Sequence, residues 1–284
     1  MHWLIYSILA TIFLGFSMVF YKLPSYKNYS SFISTIVTNA LSTIFVVLIL
    51  WISMGSVDFQ HISCYGLAWG ATFCVSMVLY KKLLNGRDTG IIFPAVSSVG
   101  NAVTVLVGII VLSERISLIQ TLGILTILLS IYFFQKKDGK LTFNKEALIL
   151  ALGIIIFSTI QKFIQKLGAE HETVQHFMLY QYLGATLFGL ILTSIFERGK
   201  LKELFALKKY LKGAILISLF SVLGGYMIFK ALSLAPLSQV YAIHPMYTLV
   251  SAMLGVWLFK EKVTARKVLL IFLSIAGVIL LRIG

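Results

Sequence analysis

Residues 90–112 read GIIFPAVSSVGNAVTVLVGIIVL, and residues 237–259 read LSQVYAIHPMYTLVSAMLGVWLF. Each stretch exceeds 20 residues without one Asp, Glu, Lys or Arg. About 20 consecutive, mostly apolar residues suffice for a helix to cross a bilayer. Working outward from these two, eight further runs of the same kind appear, at 3–22, 30–52, 62–84, 117–135, 146–168, 173–196, 210–234 and 264–283. The runs are continuous, whereas strands of a membrane barrel alternate over about 10 residues, so helices are predicted. The longest connection, 197–209, is too short to fold as a soluble domain. The first run lacks a basic flank and a small-residue cleavage site, so it reads as a retained span and not as a signal peptide. The expected fold class is all-α, a polytopic membrane protein with ten transmembrane helices.

Composition agrees. Of 284 residues, 59% are hydrophobic and 12% charged, against about 25% charged in soluble domains. Two cysteines give no disulfide framework. All ten acidic residues fall between the runs or at their ends, as expected when a carboxylate in hydrocarbon is costly. The net charge of +14 has a membrane explanation instead of a nucleic-acid one. Nineteen of the 24 basic residues lie on one side of the ten-span map, and the remaining five are Arg115, Lys162, Lys166, Lys230 and Arg282. Basic loops face the cytoplasm, which predicts both termini outside.

An internal repeat underlies the map. Sliding the sequence by 147 residues lays 91–134 on 238–281, where Val103 meets Val250, Gly108 meets Gly255, Glu114 meets Glu261 and Arg115 meets Lys262. The expected halves are 1–138 and 144–284. Five spans in each half would invert the second relative to the first, an arrangement found in many secondary transporters.

The run Phe229-Lys230-Ala231-Leu232, followed by Ala235-Pro236, Pro245, Gly255, Glu261, Val263-Thr264 and Ala276-Gly277-Val278, resembles the EamA domain of the drug/metabolite transporter (DMT) superfamily. The resemblance is good over the last 60 residues, recognisable over 91–134 and weak over the first, second, sixth and seventh spans. It implies ten helices as two inverted EamA repeats, with a central cavity lined by helices 1, 3, 4, 6, 8 and 9 and with helices 5 and 10 as scaffold. It also implies transport, most often export, without naming a substrate.

Polar residues inside spans are the local guide to a site, because polar groups in hydrocarbon need a reason. Span 4 carries Pro94, Ser97, Asn101, Thr104 and Gly108, and span 9 carries Tyr241, His244, Thr248, Ser251 and Gly255. Both sets follow a spacing of 3, 4, 3 and 4, one helix face, and they coincide under the 147-residue shift. Matching stripes read as two walls of a transport cavity or as a close-packed seam. Tyr241, His244 and Asn101 are large and polar for a seam, while Gly108 and Gly255 suit packing. Pro94 and Pro245 are candidate hinges, since proline removes a helix donor.

Span 6 holds Gln161, Lys162, Gln165 and Lys166. At about 1.5 Å per residue these lysines come within reach of the far interface and could snorkel to it. If they turn inward, a cavity lysine would bind a carboxylate or phosphate. Lys230 has the same two readings. Trp69, Phe93, Tyr180, Tyr226 and Tyr247 are aromatic candidates for the cavity. Glu114 and Glu261 each close a span and are expected to tie the following turn, with Ser117 and Gln120 forming a capping box and Thr264 capping the last span.

No carboxylate lies mid-span, so the exchanging glutamate of the small multidrug members is missing, Leu14 and Gly15 occupying the middle of span 1. Proton coupling would fall to His244 or His176, since histidine titrates near pH ~6.5. No phosphate-binding glycine loop, metal-ligand cluster or nucleophile triad is present in the sequence. The expectation is a non-enzymatic, cofactor-free secondary transporter of the inner or plasma membrane. It would export amino acids or related small polar metabolites, as a monomer or alternatively a dimer, with membrane lipid but no nucleic acid as partner. The alternatives are a transporter of amines or drug-like cations, for which an aromatic cage could suffice, and a non-transporting accessory subunit.

Overall fold

The computed structural model describes residues 2–20, 31–55, 61–84, 89–135, 145–199, 201–202, 211–259 and 265–283. The main helices are α1 (His2–Phe20), α2 (Ser31–Met54), α3 (Cys64–Leu84), α4 (Thr89–Val111), α5 (Leu118–Gln135), α6 (Lys145–His171), α7 (Val174–Phe196), α8 (Leu211–Leu234), α9 (Leu237–Ile243), α10 (Tyr247–Phe259) and α11 (Ala265–Ile283). Among the described residues there is no strand, so the protein is all-α. Every apolar run of the sequence carries a helix, but the run at 237–259 carries two, α9 and α10, joined by a 3-10 turn at His244–Met246.

Helix ends follow local chemistry. The Ser117 hydroxyl accepts from the Gln120 N–H at 3.1 Å, and the Gln120 side-chain oxygen accepts from the Ser117 N–H at 3.1 Å. This is the reciprocal capping box expected before α5. Thr173 caps α7 by accepting from the His176 N–H. Thr264, the expected cap of α11, lies outside the described residues, as does Glu261.

The bundle is apolar on its outside and polar within. On α6, Ile149, Leu152, Ile156 and Ile160 form an exposed stripe, while Ala147, Ala151, Gln165 and Lys166 are buried. Exposed Ile44, Leu48 and Trp51 on α2, and Phe272, Ile275 and Ile279 on α11, repeat the pattern. Buried Ser17, Thr38, Asn101, Thr104, Gln181 and Ser218 occupy the interior. Water would penalise that outer face, and lipid does not. The helices α1, α6, α7 and α8, and residues 33–52 of α2, are long and apolar enough to cross a membrane.

Apolar tails solvate apolar side chains, so helices in lipid associate mainly through close packing at small residues. The contacts show this. A Cβ on Gly123 of α5 would lie 2.7 Å from the Gly277 carbonyl oxygen of α11, and one on Gly277 would lie 2.9 Å from that of Gly123. Gly224 of α8 admits Leu14 of α1, beside stacked Phe16 and Phe220 at 5.1 Å and a Ser17–Ser221 hydroxyl contact at 2.9 Å. The main pairings are α1 with α8 and α10, α2 with α7 and α8, α3 with α6 and α7, α4 with α6 and α9, and α5 with α11.

Candidate polar site between α4, α6 and the broken helix

The α4 and α6 helices bring the polar stripe of one against the lysines of the other. The Lys162 ammonium donates to the Asn101 side-chain oxygen at 2.7 Å and to the Thr104 hydroxyl at 3.3 Å. Thr104 in turn donates to the Gly100 carbonyl at 2.8 Å and lies 3.5 Å from the Thr159 hydroxyl. The same ammonium stands 5.4 Å from the centroid of the Tyr241 ring, within cation–π range. Tyr241 is fixed from its other end, its hydroxyl donating to the Gln165 side-chain oxygen at 2.7 Å.

Around Tyr241 the chain breaks. His244 opens the 3-10 turn, with its ring 5.3 Å from that of Tyr241 and 5.2 Å from that of Tyr247. Its Nδ1 is buried without a hydrogen-bond partner. Tyr247, the first residue of α10, shares a side-chain hydrogen bond with Ser97 of α4. Asn101, Lys162, Tyr241, His244, Tyr247 and Ser97 therefore form one connected cluster. Gln165, Thr104 and Thr159 belong to it as well. Gln165 falls three residues after Lys162 on the same helix face, the signal that could have placed it among the site residues.

The other candidates lie elsewhere. Trp69 stacks on Phe73 at 5.3 Å and leaves its Nε1 buried and unpartnered. Gln161 is half-buried and joins none of these contacts. Tyr226 is exposed under Lys230, whose ammonium is 5.9 Å from its ring centroid. Tyr180 is buried in α7. The side chains of Phe93 and Pro94 lie outside the described residues, but α4 runs as a helix through position 94. Among the described residues no group of three His, Cys, Asp or Glu could hold a metal.

The structure separates the two readings of the lysines, extends the role of Glu114 and gives Gly108 a specific packing partner. Lys162 and Lys166 do not snorkel. Lys166 is buried and donates to the carbonyls of Leu232 at 2.8 Å and Ala235 at 3.0 Å, besides pairing with Glu170 at 2.9 Å. Glu114 does not serve only its own turn, since its carboxylate accepts from the N–H groups of Leu237 and Ser238, at the start of α9. Unpaired helix-start donors attract a carboxylate from whichever element is close. Gly108, assigned to general packing, makes room for that carboxylate, because a Cβ there would stand 2.6 Å from Glu114 Oε2.

An apolar exterior, a hydrogen-bonded polar interior and an inward lysine define an integral membrane protein built as a helical bundle. The profile of the EamA-like transporter family, which belongs to the DMT superfamily, matches residues 145–283, so that part of the chain is similar to a family of membrane transporters. A crystal structure of another protein shares the fold at 11% identity and a TM-score of 0.79, covering 98% of this chain and 95% of that one. No curated protein matches the sequence.

Proposed function

We propose that the chain is a secondary transporter that exports amino acids or related small polar metabolites by alternating access, without ATP or a cofactor. It acts as a monomer in the inner or plasma membrane, with both termini outside. The ten helical runs are ten spans in two inverted five-helix repeats, 1–138 and 144–284. Helix pairing supports the repeat. Advancing each helix by five runs carries the α1–α8 contact onto α6–α3, and α3–α7 onto α8–α2. The same operation carries α4–α6 onto the contact of α9 and α10 with α1, and returns α4–α9, α2–α7 and α5–α11 to themselves. Each of the main pairings thus has a counterpart, whereas the lesser α6–α8 and α4–α5 contacts have none of similar extent.

One observation carries the transport reading: Lys162 points its charge into the bundle between the halves, yet its side chain stays half-buried instead of sealed. Such a side chain borders interior space, and an interior ionisable group is the mark of a solute path. Tyr241, His244, Tyr247, Ser97 and Asn101 surround this charge. Pro245 is the hinge, because α10 starts afresh beyond the 3-10 turn.

The test is counterflow in sealed proteoliposomes holding the purified protein and no nucleotide. Labelled amino acids or their close derivatives are expected to accumulate against an unlabelled internal pool, and His244→Ala is expected to alter the rate without altering protein yield. A requirement for ATP, or exchange of amines alone, overturns the proposal.

A further inference from the structure

The two lysines of α6 stand one helical turn apart in opposite surroundings. Lys166 is neutralised by Glu170 and saturated by two carbonyls. Among the described residues Lys162 has only neutral partners, the Asn101 oxygen, the Thr104 hydroxyl and the face of Tyr241. Among the described residues no carboxylate pairs with it, and in the sequence every Asp and Glu falls at a run's end or between runs. Dipoles offset part of the cost of a half-buried cation inside the bundle and leave its net charge in place. Beside the same Tyr241 ring, His244 Nδ1 is buried and unsatisfied, although buried polar atoms nearly always find a partner. The cluster therefore lacks two things at adjoining points, a negative charge and a hydrogen-bonding atom.

Resting on the transport reading above, we infer that the substrate is a small carboxylate of net charge −1, seated with its carboxylate on Lys162 and a neighbouring polar atom on His244. A monoanion brings the loaded site to neutrality. A zwitterion with equal charges leaves the lysine's positive charge uncompensated, and a cation adds a second one. Two classes satisfy the balance: carboxylates whose amino group is absent or acylated, and amino acids with an acidic side chain. Neutral amino acids satisfy it poorly. Desolvation sharpens the discrimination, since opposite charges attract far more strongly in a low-dielectric interior than in water.

Counterflow in proteoliposomes with three pools of similar size separates these cases. The first contains N-acetyl amino acids, 2-oxo acids and glutamate, the second neutral zwitterionic amino acids, and the third amino acid amides and amines. Wild-type protein is expected to exchange the monoanions at least tenfold faster than the zwitterions and to leave the cations at background. Lys162→Gln is expected to remove the monoanion advantage. Zwitterions or cations exchanged as fast as monoanions overturn the charge assignment and leave the transporter standing. Exchange of no pool overturns both readings.

Discussion

Lys162→Met is expected to raise the melting temperature of the purified protein while lowering substrate exchange at least a hundredfold. The two effects share one cause. Methionine keeps the length of the stem and removes a half-buried charge that has no counter-ion among the described residues. Removing a charge that has no counter-ion removes its desolvation penalty, which outweighs the cost, about 1–3 kcal/mol, of leaving the Asn101 oxygen without its donor. A charge-assisted hydrogen bond to a bound solute contributes roughly 1.5–3 kcal/mol, or about a tenfold to hundredfold change in equilibrium, and its loss at a required step removes transport. Lys166→Met is the contrast. It strands the Leu232 and Ala235 carbonyls and the Glu170 carboxylate, so the melting temperature is expected to fall. If Lys162→Met melts below wild type and exchanges normally, the lysine is structural.

Glu114→Ala is expected to cost about 2–5 kcal/mol, read as a drop in melting temperature. Two N–H donors, on buried Leu237 and Ser238, lose the side-chain acceptor they have among the described residues, and each unsatisfied buried donor costs about 1–3 kcal/mol. Glu114→Gln is expected to lose less than Glu114→Ala, because one amide oxygen remains to accept while the amide nitrogen cannot. Equal melting of all three proteins would show that the carboxylate does not hold α9. The residue is separated from α9 by more than 120 positions, so its effect falls on the contact between the two halves of the chain and not on its own turn.

What the sequence made legible was local. Apolar runs located the helices, and Ser117 with Gln120 announced the capping box, because its partners sit three residues apart. The break at His244–Met246 was legible only as a proline. Pro94 and Pro245 look alike in the sequence, yet α4 continues through one and the chain breaks at the other. Pro94 is the sixth residue of α4 and removes a helix donor there as well, yet the helix runs on, whereas at Pro245 the α9 ladder ends in the 3-10 turn. The stripe on α4 pointed to Asn101 and Thr104, but not to the lysine they hold, because that pairing joins helices some 60 positions apart. The partner of Glu114 was illegible for the same reason. Nothing near position 114 says that the start of α9 will fold against it.

The two cysteines, noted at first only for the disulfide they do not make, have a practical consequence. Cys64 is exposed at the first turn of α3, and Cys74 is buried with its thiol 3.2 Å from the Ala185 carbonyl. The protein thus carries one natural reporter of sidedness and one silent thiol. A maleimide too polar to cross lipid should label intact cells at Cys64 alone if the proposed orientation holds, and should label only after permeabilisation if the protein lies the other way up.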